Sequence, residues 1–133
     1  MTRTQKIIVL WALVLMGFLG HNIADLLPLF WAQDVAIDPS GEAPVGMMAF
    51  MAAITYTIPA LGISAAKYGR RRGAALFNLI LAIIMALFNV LHDCGEMIMS
   101  FSPVQVFVLP LVLCFSVLLA VESYRWYKEA GAN

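Results

Sequence analysis

Residues 74–99 read AALFNLILAIIMALFNVLHDCGEMIM, and this apolar stretch decides the fold of the chain. Its first charged side chain is Asp93, close to the end of the stretch. About 20 helical residues are enough to cross the hydrocarbon core of a bilayer. The stretch therefore predicts a transmembrane helix that carries ionisable residues only near one end.

Three further apolar runs, at residues 7–31, 46–66 and 105–124, have the same character. They are connected by an acidic, turn-rich loop at 32–45, a basic turn at 67–73 and a short uncharged turn at 100–104. Pro59 and Pro110 fall within the second and fourth runs, where each is expected to remove a backbone hydrogen bond. The chain is predicted to be an all-α, polytopic membrane protein, a single four-transmembrane-helix antiparallel bundle over residues 1–133.

The composition excludes the ordinary water-soluble classes. Of 133 residues, 62% are hydrophobic and 12% charged, and the mean hydropathy is +0.88, whereas soluble domains are about 25% charged. Eight basic and eight acidic residues give a net charge of zero, so no overall charge recruits nucleic acid. The sequence also lacks phosphate-binding and dinucleotide motifs, and no nucleophile has the partners of a hydrolase site.

The basic residues predict the orientation, because all eight fall at one end of the four predicted helices. The positive-inside rule assigns that end to the cytoplasm, which places both termini there and the protein in the inner (plasma) membrane. The basic turn is expected to attract anionic lipid. An aromatic belt is predicted at the same end, with Trp31 opposite. The basic residues are Arg3, Lys6, Lys67, Arg70, Arg71, Arg72, Arg125 and Lys128, and the belt residues are Trp11, Tyr68, Tyr124, Trp126 and Tyr127.

Ionisable residues inside a membrane helix are candidate functional groups. His21 and Asp25 in the first helix, and His92 and Glu96 in the third, form two His-x-x-x-carboxylate pairs, each on one helical face. With a rise of 1.5 Å per residue, the first pair lies roughly 21–27 Å and the second roughly 27–33 Å above the cytoplasmic helix ends. The two polar faces are expected to meet in one layer on the periplasmic side.

Charge balance in this layer predicts a bound cation. The predicted ligands are His21, Asp25, His92, Asp93 and Glu96. Asn89 is predicted to contact these ligands rather than the cation itself. No Lys or Arg lies in this half of the helices, so protons or a divalent metal must balance the carboxylates. Imidazole and carboxylate together suit Zn²⁺, Fe²⁺ or Mn²⁺. The competing interpretation is a hydrated interface in which these residues only hydrogen-bond to one another and to the acidic loop.

Two other cofactors fit the sequence less well. Methionines at the same end, together with Cys94, form a thioether-rich group that could attract Cu(I), although methionine more often fills gaps between helices. Two histidines could also be axial ligands of haem, but its propionates would have no basic partner there. The methionines are Met47, Met48, Met51, Met97 and Met99.

Three function classes follow from this site. The leading hypothesis is a small binding or transport-associated membrane protein with a cation site, metal or proton. An enzyme would use the same residues around a metal with an open coordination position, acting on a lipid or quinone-like substrate. The third class is a structural subunit, since so short a chain favours assembly with its own copies or within a larger membrane complex.

Overall fold

A computed structural model describes residues 1–35, 41–42, 44–99, 103 and 105–132, and most of these residues are helical. A π-helical turn at Ala53–Thr57 joins the second helix to the third, and 3-10 turns at Leu27–Trp31 and Gln105–Phe107 extend two others. No strand occurs in these ranges, and the predicted all-α class is confirmed. The helices are α1 (Arg3–Leu26), α2 (Val45–Ala52), α3 (Ile58–Tyr68), α4 (Arg72–Met99) and α5 (Leu109–Glu129).

Four helical segments of the described residues are long and apolar enough to cross a membrane. We call them spans one to four: Arg3–Trp31, Val45–Tyr68, Arg72–Ile98 and Gln105–Glu129. Span one starts earlier than predicted because Thr2 and Gln5 form a reciprocal capping box. Most of the predicted turn at 100–104 and part of the loop at 32–45, including Asp38, lie outside the described residues.

The four spans pack as a ring. Helix α1 packs against α3 and α5, and α4 packs against the same two helices. Spans one and three therefore face each other across the interior. The core is formed by side chains from all four spans, mainly Ile7, Trp11, Val14, Phe18, Ile54, Leu81, Ala82, Met85, Val112 and Leu119.

All eight Lys and Arg side chains lie at one end of this ring, which we call the basic end; the opposite end is the far end. Arg3, at the start of span one, pairs with Glu122 at 2.5 Å and with Glu129 at 2.8 Å, both in span four. Glu122 also pairs with Arg125 at 2.8 Å, as its position one turn away indicates. These ion pairs connect the two ends of the chain.

A buried polar contact crosses the interior in the half nearer the basic end. The Trp11 indole donates a hydrogen bond of 2.9 Å to the side-chain oxygen of Asn78, whose amide donates one of 2.7 Å to Ser123. The placement of Trp11 in an aromatic belt was therefore wrong, since its ring is fully buried. Gly62 makes room for it: a Cβ at that position would lie 2.2 Å from Trp11 Cε2.

The two prolines have different effects on their helices. Before Pro59, the Ile58 amide bonds to the carbonyl of Ala53, five residues back, and this makes the turn π-helical. Thr55 also donates its hydroxyl to the Met51 carbonyl at 2.8 Å. Pro110 instead lies in the first turn of α5, where no helical amide bond is lost, so the interruption predicted there does not occur.

Candidate functional site

Two histidines from opposite spans meet in the interior toward the far end. The Nε2 atom of His21 in α1 lies 3.3 Å from the Nε2 atom of His92 in α4. The ring centroids are 5.1 Å apart and the rings are nearly perpendicular, at 82°. His21 is 6% exposed, and His92 is half-buried. The expectation that the two polar faces share one layer holds for this pair.

An aromatic layer lies beside the pair and separates it from the basic end. The Phe88 ring stacks on His92 with 5.5 Å between centroids and 10° between planes. Phe18 and Phe50 contact Phe88 from spans one and two, with centroid separations of 6.2 and 6.1 Å. The imidazoles therefore have apolar rings on one side and the polar far end on the other.

Asp25 connects the pair to the far end. Its Oδ2 atom lies 3.5 Å from His21 Nε2, and its side chain is 55% exposed. The other carboxylate oxygen accepts a hydrogen bond from the side-chain amide of Gln105, which is itself buried. Gln105 was not predicted as a site residue, although an amide at the start of an otherwise apolar helix is a signal that could have identified it.

The other predicted site residues lie apart from these contacts. Asp93 is 7% exposed and Asn89 is fully buried, and neither side chain has a hydrogen-bond partner among the described residues. Glu96 is half-buried. For Asp93 the reason is geometric: neighbouring residues of a helix point about 100° apart, so Asp93 cannot follow His92 toward span one.

The described residues contain no group of three or more His, Cys, Asp or Glu side chains placed to hold a metal ion. The five-residue metal centre predicted from the sequence is therefore unsupported, although the contacts among His21, His92 and Asp25 remain. The proposed copper ligands are mostly at the surface, since Met47, Met48, Met97 and Cys94 are exposed and Met51 is half-buried. The side chain of Met99 lies outside the description.

The two imidazoles can share a proton. A contact of 3.3 Å between ring nitrogens requires that one carry hydrogen and donate while the other accepts. Adding a proton makes the donor cationic, and such charge-assisted bonds are roughly twice as strong as neutral ones. The carboxylate in contact with the pair is Asp25, whose Oδ2 atom lies 3.5 Å from His21 Nε2.

No family model matches the chain, and no curated protein or solved structure matches it. We therefore argue its function from the contacts of His21 and His92.

Proposed function

We propose that the chain is a multi-pass membrane protein that binds a proton between His21 and His92, as a binding or transport-associated protein. The observation that carries this proposal is the contact of 3.3 Å between the two Nε2 atoms in a largely buried setting. Imidazole is the side chain whose ordinary pKa, about 6.5, lies in the physiological range. A proton on this pair is balanced by nearby carboxylates, with no Lys or Arg in the same half.

The groups around the pair support a single added charge. Asp25 on α1 and Asp93 and Glu96 on α4 are acidic, while Gln105 of span four is polar but uncharged. Helix α2 has no charged residue, and the charged residues of α3 and α5 lie at the basic end. One shared proton is therefore stabilised, whereas a second would place two positive charges 3.3 Å apart.

Nitrogen NMR tests this proposal cleanly because the chain contains only two histidines. In protein labelled with ¹⁵N only at histidine, we expect both rings to respond together to the first proton and to accept a second only at clearly lower pH. In His21→Gln, the ring of His92 should titrate as a single group. Asn22→Gln, an exposed neighbour on α1, is the matched control and should leave the two-step titration unchanged. Independent titration of both rings in the wild type, as in the single variants, would refute the shared proton.

The orientation in the membrane follows from the basic end. With eight Lys and Arg side chains there, that end is cytoplasmic, both termini are inside, and the histidine pair lies in the periplasmic half of the inner membrane. Reporter fusions to the C-terminus test this: a cytoplasmic fluorescent reporter should be active and a periplasmic phosphatase inactive. The opposite result would place the pair on the cytoplasmic side.

A metal ion is the second candidate, because the separation of the two nitrogens also fits a zinc ion held between them. Zn²⁺ binds imidazole nitrogen at about 2.0–2.1 Å with tetrahedral angles, which places two such nitrogens about 3.3 Å apart. Asp25 is the nearest carboxylate to this point. Calorimetric titration of the purified protein with zinc should show one site that His21→Gln and His92→Gln each abolish. If the wild type takes up no zinc while the NMR shows the shared proton, the cation is the proton.

The remaining sequence-based hypotheses have less support. Haem held by both histidines would require a porphyrin between rings that are here in direct contact. A metal-dependent enzyme acting on a lipid or quinone-like substrate would depend on the zinc site just described. Assembly with copies of the chain or with a larger complex is tested by purification in mild detergent and mass measurement, where a partner at fixed stoichiometry would support a structural role.

A further inference from the structure

An open groove lies between α4 and α5 in the half of the ring nearer the basic end, away from the histidine pair. Its volume is about 520 Å³, within the range of ligand pockets, about 300–1,000 Å³. Leu79, Ile83 and Val121 line its inner part. Arg125 and Lys128 line the part at the basic end, and both are exposed. The groove therefore changes from apolar to cationic over roughly 10 Å of α5, the rise from Val121 to Lys128.

The two cations of this groove are only partly neutralised by the protein. Arg125 pairs with Glu122, but the same carboxylate also pairs with Arg3, so one negative charge serves two guanidinium groups. Lys128 has no ion pair among the described residues, and its ammonium lies over the Tyr124 ring, 5.7 Å from the centroid. Positive charge is therefore left over at the solvent-facing part of the groove, where an anionic group can approach both side chains.

We propose that this groove binds an anionic phospholipid of the bilayer, with its phosphate paired to Arg125 and Lys128 and an acyl chain against the apolar part. Span four ends at Glu129, so both cations lie at the level of the headgroups when this span crosses a membrane. Guanidinium binds phosphate through two parallel hydrogen bonds, and lysine binds it as a point charge. A zwitterionic choline headgroup is disfavoured, because it brings a further positive charge next to two cations.

The inference is narrower than the general attraction of anionic lipid to the basic turn, because it assigns one lipid to one groove. The apolar part favours a lipid over a soluble phosphate, since only an acyl chain covers the exposed Ile83 and Val121 side chains. The inference uses the membrane placement proposed above but not the shared proton, and each can fail without the other.

The test counts bound lipids by native mass spectrometry of the purified protein in detergent. We expect one dioleoylphosphatidylglycerol to bind more tightly than the molecules that follow it, and more tightly than dioleoylphosphatidylcholine, which has the same chains. Arg125→Gln combined with Lys128→Gln should weaken binding of the first phosphatidylglycerol by about tenfold or more, because charge-assisted contacts are lost. Arg70→Gln combined with Arg71→Gln is the matched control: it removes the same charge at exposed positions of the basic turn and should leave this affinity unchanged.

A further variant tests the apolar part and keeps the test decisive if loss of both cations impairs folding. Val121→Trp fills the inner part of the groove with both cations in place and should also weaken binding of the first phosphatidylglycerol. Equal affinities for the two lipids, or equal losses in the groove variant and the basic-turn variant, would overturn the proposal. Glycerol phosphate binding as tightly as the lipid would overturn it too, by assigning the groove to a soluble phosphate. The histidine NMR titration gives an independent result, so failure here does not bear on the shared proton.

Discussion

At the scale of single residues, Trp11 shows that an amphipathic side chain near a helix end can be buried in the interior instead of lying at the surface. Its indole N–H is satisfied by Asn78, and its ring fits because Gly62 has no side chain. Aromatic residues near helix ends are usually placed at the membrane interface from the sequence. The burial of Trp11 depends on a polar acceptor and a glycine that lie on neighbouring helices at its own depth. The sequence alone does not show that these two residues share the depth of Trp11, because this depends on how the helices pack.

The close contact at Gly62 leads to a stability prediction. Gly62→Ala places a methyl group against the fully buried Trp11 ring, so we expect the free energy of unfolding to fall by about 1–3 kcal/mol. Denaturation in mixed detergent micelles measures this. Gly95→Ala is the control within α4, where an added Cβ meets nothing within 4 Å. That change should be neutral or stabilise by up to about 1 kcal/mol because alanine favours helix. Equal effects of the two changes would contradict the close packing.

Some of the predicted site residues contact one another in the structure and others do not, and the sequence could indicate only part of this. His21 and His92 could be paired from the sequence, because both helices start at the basic end and helical rise gives comparable depths. The side of α4 on which Asp93 lies could not be inferred, since this depends on how the helices are rotated against each other. Gln105 was missed because its role depends on the three-residue 3-10 turn that starts span four.

At the scale of secondary structure, the apolar runs predicted the spans well because length and hydropathy are local properties. The irregular parts are less predictable. Span two contains a π-helical turn before Pro59, whereas Pro110 simply begins a helix. The two prolines look alike in sequence, but α2 runs into the turn before Pro59, whereas a three-residue 3-10 turn precedes the start of α5 at Pro110.

The π-helical turn gives a prediction for span two. Pro59→Ala restores the missing amide, so we expect the turn to become α-helical and α2 to rotate by about 100° relative to α3. Phe50 would then move away from Phe88. Electron-spin distance measurements between labels at the exposed positions Met47 and Leu91 should show a changed distribution. Pro110→Ala should leave it unchanged, and an unchanged distribution in Pro59→Ala as well would show that proline does not cause the π turn.

At the scale of the whole molecule, the ion pairs of Arg3 join the first turn of span one to the end of span four. Arg3→Gln removes both pairs, so we expect a small decrease in the thermal unfolding temperature that disappears as salt screens the charges. Unfolding scans at low and high ionic strength measure this. Lys6→Gln, an exposed residue one turn further along α1, should have little effect at either salt concentration. A decrease that persists at high salt would assign Arg3 a packing role.

Apolar side chains inside the ring separate the histidine pair from the polar contact at Trp11. Trp11 and His21 are separated by roughly 15 Å along α1, and Val14 and Phe18 bury their side chains between them. Asn89 lies in this stretch as well, but its buried amide has no hydrogen-bond partner among the described residues, so it does not link Trp11 to His21 by hydrogen bonds. Asp25, whose side chain is 55% exposed, is the contact of the pair that opens toward the far end. For the proton site proposed above, the pH on that side alone would then set whether the pair is charged.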